Sequence, residues 1–261
     1  MPFVNIGNGQ LYYEEAGRGS PMLLIPGLGG VGSFWTKQVE FFRNHFRVIV
    51  HDHRGTGRSK AETEKFSVDL MADDVEALID QLGLSDIHII GHSTGGAIAQ
   101  ALAIRQKHDL RKLVLSATWA YGDDYFRTLF GTRLQILEKI GMHAYEQFGR
   151  IVRYPPSFLG RNPEFLQPSG NNESGDAPTI ASRIQALLDF DSRNQLDRIE
   201  IETLLIGAID DAVTPHHLWD ELAAGIKGAK MVKMPDGGHF CPQTAADAYN
   251  THVMNFLQGR E

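Results

Sequence analysis

Short apolar runs recur along this chain, separated by longer stretches of helical character. Phe3-Val4-Asn5-Ile6 and Leu11-Tyr12-Tyr13-Glu14, joined by a Gly/Asn turn, predict an antiparallel hairpin. Runs at 22–25, 46–50, 87–90, 112–115, 203–206 and 230–234 follow. Most are continuously apolar rather than alternating, as strands covered on both faces are. Helices are expected between them, near 35–42, 68–82 and 96–104. The alternation predicts the α/β class, with a mostly parallel eight-stranded sheet flanked by helices. It breaks between 121 and 194, where helical stretches at 125–140 and 180–190 surround a loop-like Pro/Gly/Asn/Ser stretch at 154–178. The expectation is a helical cap, 121–194, inserted into a core made of 1–120 and 195–261. The cap aromatics Tyr121, Tyr125, Phe126, Phe130, Tyr145, Phe148, Tyr154, Phe158 and Phe165 are candidates to line an apolar pocket, although any one ring is better explained by packing the cap onto the core.

Composition narrows the function. The chain has 261 residues, 42% hydrophobic and 22% charged, enough for one domain with a full core. A formal net charge of −7 without a Lys/Arg cluster argues against nucleic acid as a partner. No segment approaches the roughly 18 uninterrupted apolar residues of a membrane span, and no leader pattern is seen. The expectation is therefore a cytoplasmic protein with no membrane partner. The single cysteine, Cys241, has no intrachain disulfide partner. The pairs His51/His53 and His216/His217 lack further ligands at metal-binding spacing, so no metal is expected. Nothing in the sequence sets the oligomeric state.

The candidate chemistry centres on Gly91-His92-Ser93-Thr94-Gly95. A buried-strand pattern precedes it and a helix of small residues follows, so Ser93 falls on a sharp strand-to-helix turn. The two glycines supply the lack of bulk such a turn needs. Ser93 is then a candidate nucleophile at the carboxyl end of a parallel strand, where ligands bind on such sheets. A serine hydroxyl needs a base, and that base needs an acid to orient it. Among eleven histidines, His239 alone joins a strand end to a Gly-Gly turn. The preceding strand ends in Asp210-Asp211, of which only one can face His239.

The order Ser93, acid, His239, taken with these motifs, resembles the α/β-hydrolase superfamily over essentially the full length. The resemblance implies that the acid stands four residues before Pro215, which selects Asp211; counting from Gly207 instead favours Asp210. It also implies an oxyanion hole from the backbone N–H groups of Thr94 and Leu28. Leu28 lies in Pro26-Gly27-Leu28-Gly29-Gly30, similar to the family's H-G-x loop with Pro26 in place of the histidine. Asp52-His53-Arg54-Gly55-Thr56-Gly57-Arg58-Ser59 is similar to a family loop of mainly structural role.

Family members with other chemistry, dehalogenases and epoxide hydrolases, carry aspartate where this chain has Ser93. What the resemblance implies is therefore a cofactor-free serine hydrolase that cleaves a small-molecule ester or lactone substrate through an acyl-enzyme. The alternatives are an amidohydrolase of the aminoacrylate hydrolase type, to which Tyr154-Pro155, Ala186–Asp191 and Gly237-Gly238-His239 are similar, and a hydrolase-like small-molecule receptor. Enol-lactonases share several of these motifs. Both enzyme branches act on small, often acidic substrates, and Arg127, Arg133, Arg150, Arg153 and Arg161 are candidate carboxylate ligands.

Overall fold

The computed structural model describes residues 2–61, 65–167 and 174–260. The eight apolar runs become β1 (Phe3–Asn5), β2 (Gln10–Ala16), β3 (Pro21–Ile25), β4 (Arg47–His51), β5 (Ile87–His92), β6 (Leu110–Ser116), β7 (Thr203–Ala208) and β8 (Lys230–Met234). They form one sheet in the order β1-β2-β4-β3-β5-β6-β7-β8. β2 pairs antiparallel with β1 and with β4, and every other pairing is parallel.

The strand period explains why these runs are apolar throughout. Leu23, Ile25, Ile89, Leu113 and Leu205 point to one face, against α2 (Val68–Gln81) and α3 (Thr94–Arg105). Met22, Leu24, Ile90, Val114 and Ile206 point to the other, against α1 (Thr36–Phe42) and α10 (Ala246–Leu257). Successive side chains alternate faces and both faces are covered, so the central strands are mostly apolar, with His88 on β5 a buried exception. The helix expected at 35–42 begins as a 3₁₀ turn, Gly32–Trp35, before α1. Ser67 caps α2 by accepting from the Leu70 N–H at 3.0 Å.

Between β6 and β7 lie α4 (Asp124–Lys139), α5 (Met142–Arg153), α6 (Pro156–Arg161) and α7 (Ala177–Asp189), with Asp123 and Asp176 as the caps of α4 and α7. The stretch expected to be loop-like, 154–178, instead holds α6 and a 3₁₀ turn, Pro163–Leu166, while 168–173 lies outside the described residues. Its prolines hid these elements, because proline breaks a helix interior yet fits the first turn, where its missing N–H has no partner to lose. α8 (His217–Gly225) and the short α9 (Cys241–Thr244) complete the chain. Among the described residues no helix is long and apolar enough to cross a membrane.

Candidate active site

β5 ends at His92 and α3 starts at Thr94, leaving Ser93 alone on the turn with φ 54° and ψ −118°. A non-glycine residue there carries about 1–3 kcal/mol of backbone strain that its surroundings must hold. They do so with four hydrogen bonds: Ser93 N–H donates to the Ser116 carbonyl at 2.8 Å, and the Ser93 carbonyl accepts from Gly96 N–H and Thr118 Oγ1 at 2.8 Å and from Ala97 N–H at 3.2 Å. The two motif glycines are explained by the same turn. A Cβ on Gly91 would fall against the Gly95 backbone, and one on Gly95 against the carbonyls of Ile25 and Pro26. Strand β3 and its following loop therefore pass directly beneath the turn.

The structure brings Ser93, His239 and Asp211 together from three strand ends. His239 Nε2 lies 3.0 Å from Ser93 Oγ, and its Nδ1 lies 2.8 Å from Asp211 Oδ2. All three are buried. Asp211 is held from behind: Oδ1 accepts the N–H groups of Val213 and Thr214 at 2.7 and 3.0 Å, and Oδ2 accepts the Thr214 hydroxyl at 2.8 Å. Asp210 faces elsewhere, accepting the Gly238 N–H at 2.8 Å from an exposed position. A hydroxyl bonded to an imidazole whose second nitrogen meets a fixed carboxylate can pass its proton to the ring.

The loop after β3 carries Leu28 past Ser93; a Cβ on Gly27 would come within 3.2 Å of the Ser93 Cβ. Three of its carbonyls are held by donors from other segments. His53 Nε2 donates to the Pro26 carbonyl at 3.0 Å, Arg183 Nη1 to that of Leu28 at 3.4 Å, and Thr56 Oγ1 and His53 N–H to that of Gly30 at 3.0 and 2.7 Å. Thr94, as the first residue of α3, has an N–H with no intrahelical acceptor. The Asp52–Ser59 loop anchors this arrangement. Asp52 accepts Gly32 N–H at 2.8 Å and Arg58 N–H at 2.9 Å, while Arg54 pairs with Asp74 on α2.

The histidine pair at 51 and 53 belongs to the same support. A carbonyl can only accept, so His53 Nε2 carries the proton toward Pro26, and its Nδ1 accepts from His51 Nε2 at 3.2 Å. Burial pushes His51 down to about 4 and His53 well below the usual imidazole value, so both are neutral. The unfolded chain takes up these protons near the ordinary pKa of about 6.5 and the fold does not, so stability falls as pH drops below 6.5 until the folded His51 titrates near 4. At pH 5 His51 alone should cost about 2 kcal/mol. The melting temperature at pH 5 is thus expected about 5 °C or more below that at pH 7.5, with a smaller drop in His51→Gln; equal values at both pH would refute the buried neutral pair.

A cavity of about 310 Å³ opens over Ser93 and His239. Phe34, Tyr154 and Phe240 line it together with His92, whose ring stacks on Phe34 at 4.8 Å between centroids. Burial and the nearby His239 hold His92 well below the usual imidazole range. Of the cap aromatics Phe130, Tyr145 and Tyr154 reach the cavity, whereas Phe126 packs on Trp119 in the core. Of the five arginines, Arg133, Arg150 and Arg153 line it. Arg127 instead donates to the Gly122 carbonyl, and Arg161 ends α6 away from the cavity wall. Sequence reading passed over Phe34 and Phe240, and only their nearness to a glycine loop and to His239 marks them. Among the described residues no cluster of His, Cys, Asp or Glu is placed to hold a metal.

Comparison with known proteins agrees with this architecture. A protein from Azorhizobium caulinodans named "Putative carbamate hydrolase RutD" is 35% identical over 259 residues, covering 98% of each chain. One of the same name from a Caulobacter species is 36% identical over 257 residues, covering 95% of this chain and 96% of the other. Among solved structures, the enol-lactonase from Burkholderia xenovorans superposes with a TM-score of 0.89 at 26% identity, covering 98% of this chain and 100% of the other. The alpha/beta hydrolase fold family matches residues 20–242, and with the sheet order and the Ser93 turn in place, the chain belongs to the α/β hydrolase family.

Proposed function

We propose that this hydrolase cleaves small carboxylic esters or lactones, with Ser93 as nucleophile, His239 as general base and then acid, and Asp211 as the group that orients the ring. The observation that carries the reading is the hydrogen-bonded path from Ser93 Oγ through both nitrogens of His239 to Asp211, at 3.0 and 2.8 Å. His239 Nε2 takes the hydroxyl proton as Oγ attacks the substrate carbonyl, and the Nδ1–H stays on Asp211. The N–H groups of Leu28 and Thr94 receive the oxyanion. His239 then protonates the leaving group, and water activated by the same nitrogen releases the acid. No cofactor enters the scheme. The helices of 121–194 act as a cap that closes the cavity over Ser93, and the setting is cytoplasmic.

A second reading, hydrolysis of carbamates, is favoured by the names of the 35% and 36% identical relatives, and hydrolysis of an aminoacrylate-type substrate by the motif resemblance in the sequence. The same serine serves both, since a carbamate carbonyl is also open to acyl transfer. Rapid-quench kinetics with 4-nitrophenyl acetate and 4-nitrophenyl N-methylcarbamate separates them. The expected result is a burst equal to the enzyme concentration, an acetyl adduct on the Ser93 peptide by mass spectrometry, and a larger rate enhancement over the uncatalysed reaction for the ester. A larger enhancement for the carbamate puts the second reading first. Turnover with no adduct on Ser93 overturns the acyl-enzyme in both.

A further inference from the structure

We propose that Arg183 on α7 is a positioning residue for the oxyanion hole: its guanidinium holds the turn that carries Leu28 in one of two conformations open to it. The inference rests on the acyl-enzyme reading for what the turn does, but not for how the turn is held.

Gly27-Leu28-Gly29-Gly30 is a four-residue turn, closed by the Gly30 N–H donating to the Gly27 carbonyl at 2.9 Å. In such a turn the middle peptide, here between Leu28 and Gly29, can face either way, and the flipped form needs a left-handed φ at the third residue. With glycine there, the flip is sterically open. Yet Gly29 does not take that φ, and the Leu28 carbonyl accepts from Arg183 Nη1 at 3.4 Å. A flip would carry this carbonyl away and reverse a peptide dipole of about 3.5 D one residue from the Leu28 N–H, the donor assigned to the oxyanion. The turn's own residues leave the choice open, and Arg183 makes it.

Arg183 reaches the turn from a buried position, 1% exposed. Its donors go to carbonyls on three segments: Nη2 to Arg54, and Nη1 to Leu28 and, at 3.5 Å, to Ser174. A Cβ on Gly30 would come within 3.0 Å of Nη1, so the group lies against the bare backbone of the turn. The Phe66 ring covers it, its centre 4.8 Å from the guanidinium carbon. Among the described residues no carboxylate oxygen lies within 4.0 Å of Arg183, whereas buried Arg54 is paired with Asp74. Burial lowers the Arg183 pKa to about 10, with Tyr145 acting the other way, so the group stays a cation at neutral pH.

Arg183 does not line the cavity, but Ile180, three residues earlier on the same face of α7, does. One helix therefore bears on both the cavity and the turn. The choice of arginine follows from the geometry, since a planar fork spans carbonyls on separate loops and an ammonium is a single point on a flexible stem. A second tie is indirect. Burial, His51 and the Arg183 charge together keep His53 neutral, and His53 Nε2 holds the Pro26 carbonyl at 3.0 Å, just before the turn.

The test compares wild type, Arg183→Gln and Arg183→Lys on 4-nitrophenyl acetate and 4-nitrophenyl N-methylcarbamate. In Arg183→Gln, kcat/KM should fall about tenfold or more on both, chiefly in kcat, with a smaller fall in Arg183→Lys. Affinity for 1,1,1-trifluorobutan-2-one, whose adduct with Ser93 places an alkoxide in the oxyanion hole, should fall by the same factor. A variant that merely folds poorly has fewer active molecules and loses kcat alone. An unchanged inhibition constant therefore overturns the proposal, as does a kcat/KM in Arg183→Gln within about twofold of wild type. The turn itself is read by the Gly29 amide in ¹⁵N-labelled protein. One sharp resonance is expected in wild type and a doubled or exchange-broadened one in both variants; the same resonance in all three overturns the proposal even where the kinetics change. Where the wild type turns over neither substrate, a Gly29 resonance that doubles or broadens only in the variants upholds the grip on the turn and sinks the acyl-enzyme reading alone.

Discussion

Ser93→Ala is expected to lower kcat on short 4-nitrophenyl esters by about five to six orders of magnitude, the scale seen when a serine hydrolase loses its nucleophile. The substitution removes one oxygen, whose hydrogen bond is the one to His239 Nε2. The backbone bonds that hold the turn, from Ser93 N–H to Ser116 and from Gly96 N–H, Ala97 N–H and Thr118 Oγ1 to the Ser93 carbonyl, do not involve it. The melting temperature should therefore stay close to that of the wild type, which separates lost chemistry from lost fold. Steady-state assay of the purified variant, with a mock purification to bound contaminating esterase, gives the number. Retention within about tenfold of wild type would remove Ser93 from the reaction.

Asp211→Asn is expected to cost about 10⁴ in kcat, as the loss of the orienting acid does in the Ser-His-Asp template, while Asp210→Asn stays within about threefold. The asymmetry comes from what each carboxylate accepts. Asp211 takes two backbone N–H groups on Oδ1, and His239 Nδ1–H with the Thr214 hydroxyl on Oδ2. An asparagine must turn its NH₂ to one side or the other. Facing Val213 and Thr214 it sets donor against donor; facing His239 it makes Nδ1 an acceptor and moves the ring proton to Nε2, which can then no longer take the Ser93 proton. Asp210 accepts one N–H, from Gly238, and an asparagine oxygen accepts it equally well. Steady-state kinetics of the two variants on one ester decides the matter, and similar losses in both would undo the assignment of Asp211.

Much of this was legible before any coordinates, and the parts that were share one property. The central strands announced themselves because a sheet covered on both faces requires apolar residues at consecutive positions such as Met22–Ile25, whereas β1 and β2 showed as short runs either side of a Gly/Asn turn. The Ser93 turn was legible for a similar reason, since its steric conditions fall on Gly91 and Gly95, two residues either side. Helices α5 and α10 were not read, and α6 was hidden by prolines that its first turn accommodates. Their residues are mixed in polarity, and what holds them is contact with elements far along the chain.

The sequence by itself determined the α/β class, the place of Ser93 and the presence of a histidine and a carboxylate on later strand ends, because local sterics and the periodicity of burial write those into neighbouring residues. Only the tertiary structure decided that Asp211 rather than Asp210 meets His239, since the two differ by a side-chain direction set by Val213, Thr214 and Gly238. Only it sorted five arginines into three that share a cavity and two that do not. In one dimension all five carry the same charge. Where a guanidinium finds or lacks a counter-ion depends on which helices meet, and that is a property of the packed molecule.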